Sequence, residues 1–330
     1  MSITVRYLIK RFGIMAITLV IISILVFIVI QLPPGDYVTS YITALRVKGQ
    51  ATDAATEAFL RKQYGLDKTP VGQYFTWIGN FIKGDLGRSF QYNRPVIELI
   101  GERMPLTIII SLLSLIMTWI ISFIVGVYSA LKKYKPSDYV ISVFCFLAMS
   151  IPAFVLALFL MYIGFTKFGM DVGGLFSQQF QNAPWSMAKF IDLLKHLWIP
   201  VIVIGLGGVA GTIRTLRATL IDELSKPYVA AAKAKGLPIW KVILKYPVRI
   251  ALNPFISTIG WSLPGLISGG EIVSIVLNIP TTGPILLGAI QMQDMYLAGS
   301  FIMVLSALTV VGTLISDILL ALSDPRIRYE

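Results

Sequence analysis

The chain has 330 residues, 56% of them hydrophobic and 14% charged, with a mean hydropathy of +0.77. Soluble proteins carry about 25% charged residues, so these figures exclude an ordinary soluble domain and point to lipid exposure. A single cysteine, Cys145, and a single histidine, His196, exclude an intrachain disulfide and a His/Cys metal cluster, and the net charge of +11 gathers at the ends of apolar runs rather than on a nucleic-acid-binding face.

A bilayer crossing takes about 20 mainly apolar residues. Six runs qualify in chain order: Phe12 to Leu32, Leu106 to Leu131, Tyr139 to Phe165 (interrupted by Pro152), Leu197 to Ile213, Ile250 to Ile279 (with Pro254 and Pro264) and Met295 to Leu322. The first is too long for a signal-peptide core and leads into "QLPPGD" rather than a small-residue cleavage site, so it reads as a retained helix. Between the first two runs, "TDAATEAFLRKQYGL" offers Thr52 or Asp53 as a helix cap, with Ala55, Ala58, Phe59 and Leu66 at helical spacing. "VGQYFTWIGNFIKGDLGRSF" adds Tyr74, Phe75, Trp77, Phe81 and Phe90. Both read as amphipathic helices at the interface or over a pore mouth.

Basic residues orient the chain. Arg6, Lys10 and Arg11 precede the first run, Lys132, Lys133 and Lys135 link the second and third, eight Lys or Arg lie in 214–249, and Arg326 and Arg328 close the chain. The positive-inside rule places these segments, and both termini, in the cytoplasm.

The stretch "YVAAAKAKGLPIWKVILKYPVRIALNP", residues 228–254, holds five Lys or Arg and no acid between two apolar runs. Pro227 suits a first helical turn, the alanines favour helix and Gly236 stops it. A second helix starts near Pro238, with Ile239, Val242, Ile243 and Tyr246 at i, i+3, i+4 and i+7. The alanine face of the first helix permits close approach of another protein, although a solvated linker would also be alanine-rich.

This segment resembles the cytoplasmic loop of membrane subunits of ABC importers, whose signature is E-A-A-x-x-x-G. Ala231, Ala232 and Gly236 match, and Ala230 stands where that family often has Glu. "KYPVRIALNP" is similar to the basic end of the same loop in the dipeptide/oligopeptide/nickel branch. "RYLIKRFGIMAITLVIISILVFIVIQLPPGD", "QYGLDKTPVGQYFTWIGNFIKGDLGRSFQYNRPVIELIGERMP", "AMSIPAFVLAL" and "LSDPRIRY" follow the branch's order over nearly the whole chain. The resemblance implies an all-α polytopic membrane protein with six transmembrane helices and the type I ABC importer permease fold. Its parts are an N-terminal helix (1–32), an extracellular segment (33–105) and a five-helix core (106–330) containing the coupling loop 214–250. It implies a prokaryotic inner-membrane location, a homologous permease partner, two ATP-binding subunits and a solute-binding protein. The chain itself needs no cofactor or metal, because ATP and Mg2+ are bound by the partner subunits, and it is not an enzyme. In the coupling loop, Tyr228, Ala231, Ala232, Lys235 and Gly236 are the expected ATPase contacts.

Within the spans, "GLGGVAGT" (205–212) lacks the lysine of a phosphate-binding loop and reads as a close-packing surface. "WSLPGLISGGEIVSIVLNIPTTGP" places Glu271 in an apolar setting, and an ionisable group at depth is a candidate functional residue or a hydrogen-bonding partner of a neighbouring helix. With Ser274, Asn278, Thr281 and Thr282 it makes up the expected translocation pathway. Here the chain departs from the family, which commonly has Glu at the position of Ser274 and a P-G-x-G turn where "PTTG" stands. Asp294 and Asp317 read as caps or snorkelling groups, His196 as an interfacial residue, and Trp261 and Tyr296 as rings able to stack on a solute. The expected solute is an oligosaccharide or an oligopeptide, with a lean toward hydroxyl-rich compounds, and nickel is disfavoured by the single histidine. The alternative is an ion-coupled secondary transporter using Glu271 and Asp317, but no inverted repeat is visible. A membrane-embedded hydrolase lacks a paired nucleophile and base.

Overall fold

The computed structural model describes residues 3–32, 34–47, 54–170 and 173–323. The candidate caps Thr52 and Asp53 and the terminal Arg326 and Arg328 lie outside them, as do the side chains of Trp261 and Pro264. The described chain is all-helical: α1 (Ile3–Gln31), α2 (Tyr37–Val47), α3 (Ala54–Gln63), α4 (Pro70–Ile82), α5 (Val96–Leu131), α6 (Pro136–Ser150), α7 (Ala153–Phe168), α8 (Met187–Leu224), α9 (Pro227–Ala234), α10 (Ile239–Lys245), α11 (Pro247–Ala251), α12 (Asn253–Val276), α13 (Thr282–Gln291) and α14 (Met295–Ser323). Proline opens α4, α6, α9 and α11, where its missing N–H costs no intrahelical bond.

Among the described residues, α1, α5, α8 and α14 are long and apolar enough to cross a membrane, and the α6–α7 pair makes a fifth if counted as one span. The remaining expected span, the fifth run Ile250 to Ile279, falls on α12, whose side chains between 258 and 269 are largely outside the described set. The third apolar run is broken. Ile151, which precedes Pro152, is extended (φ −90°, ψ 119°), as the pyrrolidine ring requires of its neighbour. The axes of α6 and α7 therefore diverge by 98°.

The chain divides into two compact units, Met1–Pro105 with Thr281–Val310, and Leu106–Pro280 with Val311–Glu330. In the first unit, Trp77 of α4 is fully buried and stacks on Phe27 of α1, with Val26, Met295 and Met303 around them. Thr69 caps α4 by accepting the Gly72 N–H at 3.3 Å. A second cluster gathers Tyr37, Val38, Ile42 and Phe90, against which Leu60, Tyr64 and Leu66 pack. The expected apolar face of α3 is thus only partly right: Leu66 packs, but Ala55, Ala58 and Phe59 are exposed. Arg61, ion-paired to Glu57 at 3.0 Å and to Asp36, fixes the helix with Leu60 inward instead.

In the second unit, α8 is 38 residues long, about 57 Å at 1.5 Å per residue, and extends well past the predicted 197–213 on both sides. Hydropathy hid its first turns because they contain Lys189, Asp192 and His196. Each is buried with a partner: Asp192 accepts from Ser177 N (2.8 Å) and Ser177 Oγ (2.7 Å), Lys189 Nζ donates to Ala183 O (2.6 Å), and His196 Nδ1 lies 2.7 Å from Asp192 O. His196 is buried within the protein. The glycine run packs as expected at one position. A Cβ on Gly205 would stand 2.3 Å from Met117 Cε and 3.0 Å from Ser114 O of α5. Thr118 Oγ1 lies 2.8 Å from Gly205 O, and Ser122 Oγ donates to Val209 O at 3.2 Å. These hydroxyls fasten α5 to α8.

Candidate functional site

The segment between α8 and α12 folds as a helix–turn–helix. α9 ends on Lys235, and Gly236 then takes φ +74°, a left-handed conformation that side chains resist. α10 follows from Pro238. Val229 and Ala232 of α9 meet Val242 of α10 in a small core flanked by Tyr228 and Tyr246. Burying a valine is worth about 1.5–3 kcal/mol, whereas ordering a backbone costs about 1–2 kcal/mol per residue. Two valines and an alanine cannot hold fifteen helical residues in place. The hairpin leans on its neighbours: its partly buried Ile243 packs on a cluster of Leu216 and Leu220 of α8, Val248 and Ala251 of α11 and Phe255 of α12. Tyr228 Oη donates to Glu223 Oε2 at 2.5 Å and ties α9 to the last turn of α8.

What the hairpin leaves outside is distinctive. Ala230, Ala231, Lys233, Ala234, Lys235 and Gly236 are exposed, and next to them Leu237, Ile239, Trp240 (59% exposed) and Leu244. Of the five expected contact residues, Ala231, Lys235 and Gly236 lie on this face. Tyr228 is half-buried, and Ala232 faces the hairpin's own core. The sequence spacing groups Ile239 with Val242, but α10 turns Ile239 outward, and no local spacing marks Trp240 as exposed.

The expected pathway residues occupy different settings. Glu271 is half-buried in α12, and Ser274 is buried. α12 stops at Asn278, which takes φ +52°, while Ile279 N–H donates to Ser274 O at 2.8 Å and Asn278 N–H to Ile275 O at 3.1 Å. Asn replaces the glycine usual at such a stop. Gly174 N–H closes the turn by donating to Leu277 O at 2.9 Å. In the other unit, Thr281 and Thr282 are buried at the start of α13. Asp317 is half-buried in α14.

Asp294 caps α14, as expected, and does more. Its Oδ2 accepts from Ser89 Oγ (2.5 Å) and Gln91 N–H (3.0 Å), and its Oδ1 from Leu297 N–H (3.2 Å). It is completely buried, and burial raises its pKa against the opposing pull of these donors. Tyr37 Oη donates to Phe90 O at 2.8 Å, and burial, with Tyr64 and Asp294 nearby, pushes its hydroxyl up to about 12. Gly87 (φ +79°) lies under Tyr296, whose ring would stand 2.4 Å from an added Cβ, and Tyr296 also meets Phe90 edge-on at 5.2 Å. The ring is thus occupied within the fold. Among the described residues no group of three or more His, Cys, Asp or Glu is placed to hold a metal.

These features describe a helical, multi-pass membrane protein whose α9–α10 hairpin is basic, acid-free and exposed along one face. Residues 122–329 match the family of binding-protein-dependent transport system inner membrane components, and residues 4–112 match that family's N-terminal region. The chain is 33% identical over 326 residues to an oligopeptide transport system permease protein, AppB, of Bacillus subtilis, with 98% of this chain and 99% of the relative covered. It is 30% identical over 328 residues to a dipeptide transport system permease protein, DppB, of Lactococcus lactis (98% and 99% covered). To a glutathione transport system permease protein, GsiC, of Escherichia coli K12 it is 29% identical over 325 residues, with the same coverage. The chain belongs to this family of ABC importer permease subunits. It is a permease subunit and not an enzyme; ATP hydrolysis in such systems is the work of partner ATPases.

Proposed function

We propose that this chain is one of two membrane subunits of an ATP-driven importer of short peptides, with six transmembrane helices and both termini in the cytoplasm. A homologous permease completes the pathway, two ATPases bind on the cytoplasmic side, and a solute-binding protein delivers the peptide outside. The observation that carries the reading is the α9–α10 hairpin. Its Ile243 packs on Leu216 and Leu220 of α8 with Val248 of α11, and Tyr228 is tied to Glu223 of α8, yet the hairpin presents Ala231, Lys235, Gly236, Leu237 and Trp240 to the exterior. A rigid seat with an uncovered face suits a part that a moving ATPase grips. Glu271, Ser274, Asn278, Thr281 and Thr282 are the residues proposed to line the path.

Peptide is favoured over oligosaccharide. The lean toward hydroxyl-rich solutes rested on the departure at Ser274 and "PTTG", and it finds no support in relatives named for oligopeptide, dipeptide and glutathione transport. The ion-coupled alternative is likewise not favoured. The test is reconstitution of this chain with its permease partner, ATPases and binding protein in vesicles. Labelled short alanine peptides should accumulate only with ATP on the ATPase side, and glucose oligomers should not stimulate hydrolysis. Stimulation by the sugars alone would overturn the peptide assignment. Uphill uptake by this chain without nucleotide would overturn the importer reading.

A further inference from the structure

The second unit contains an ion pair between a buried Asp138 and a half-buried Arg217 that neither the hairpin nor the expected pathway uses. Asp138 stands in the first turn of α6 and is 2% exposed. Its Oδ1 accepts from Arg217 Nε at 2.8 Å and its Oδ2 from Arg217 Nη2 at 2.7 Å, a fork-to-fork pairing. Ser129 Oγ of α5 donates to Oδ1, and the Tyr134 N–H donates to Oδ2 at 3.0 Å. One carboxylate thus gathers donors from α5, from the α5–α6 turn and from α8.

Arg217 sits seven residues before the end of α8, and α9 begins three residues after that end. Its neighbours on α8, Leu216 and Leu220, are fully buried against Val248 and Ala251 of α11, the cluster that Ile243 of the hairpin joins. Successive helical positions are about 100° apart, so the same turn of α8 meets α11 and Ile243 of the hairpin with one side and α6 with another. α6 in turn leads to the break at Pro152 and the 98° bend into α7. Gly126 of α5 packs on the same turn: a Cβ there would stand 3.0 Å from Leu216 Cδ2.

We propose that the Asp138–Arg217 pair is a positioning clasp that carries displacement of the α9–α10 hairpin from α8 into the bent α6–α7 element. The inference rests on the importer reading above. A buried ion pair adds little net stability over apolar residues of the same size, but a bidentate pair fixes direction and register. Apolar contacts alone would let α6 slide along α8 when the hairpin is pulled.

The test uses the assembled complex of both permeases, ATPases and binding protein, with labelled short alanine peptides as the probe. Asp138→Asn removes the charge, and Arg217→Lys keeps the charge but loses the fork. Peptide moved per ATP hydrolysed should fall about tenfold in Asp138→Asn, within the usual range of coupling between sites, and by an intermediate factor in Arg217→Lys. Hydrolysis stimulated by the binding protein should stay near the unmodified rate in both. A merely structural role would lower uptake and hydrolysis together. An unchanged ratio, a parallel loss, or failure of both variants to assemble overturns the clasp. Absence of ATP-dependent uptake by the unmodified complex would overturn the importer reading and the clasp with it.

Discussion

Two glycines with nearly the same backbone conformation sit in opposite surroundings. Gly87, at φ +79°, lies in a loop whose polar atoms are used internally, with Ser89 and Gln91 on the buried Asp294 and Tyr296 pressed over it. Gly236, at φ +74°, has no other atom within 4 Å of an added Cβ and stands beside exposed Leu237 and Trp240. The loop at 85–95 is finished within its own unit. The hairpin is finished on its seat and left open on its outer face. The same conformational demand is met under a packed ring in one place and on an exposed turn in the other.

This contrast can be broken by substitution. Gly87→Ala adds left-handed strain to a clash with an immobilised ring and should destabilise the protein by about 2–5 kcal/mol, read as thermal unfolding in detergent. Asp294→Asn should act next, through the pH profile. Burial raises the Asp294 pKa above its unfolded value, so the stability this group contributes is fully present below about pH 3.9, the ordinary Asp value, and is lost as pH rises through the folded pKa. Unmodified protein should lose stability over that rise relative to Asp294→Asn, while the variant carries a roughly pH-independent cost of about 1–2 kcal/mol for one acceptor turned donor. Parallel profiles for the two proteins would refute the burial argument. Gly236→Ala meets no neighbour, and the cost should be only the backbone term of about 1–2 kcal/mol. A loss as large as that of Gly87→Ala would mean that the hairpin is not open.

Much of this was legible in the sequence where the signal is local. The apolar runs marked the long helices, Pro227 and Gly236 bounded α9, and Pro152 marked the break between α6 and α7. The misses came from partners distant in sequence. Lys189 and Asp192 lower the hydropathy before Leu197, and their hydrogen bonds to Ala183 and Ser177 let the helix start earlier. Asp138 and Arg217 are 79 positions apart, and no spacing rule joins them. α3 was rotated from its expected face because Arg61 answers to Asp36, 25 residues upstream. The turns at Asn278 and Gln293 use left-handed non-glycine residues, which a search for glycine stops overlooks.

We propose that the ATPase seats on the open face of the hairpin, and hydrogen exchange of the permease pair with and without the ATPase subunits tests this. Amides from Val229 to Lys245 should exchange more slowly when the ATPase is present, while those of Asp85 to Pro95 keep their rates. Unchanged exchange across the hairpin in a complex that hydrolyses ATP would contradict the account.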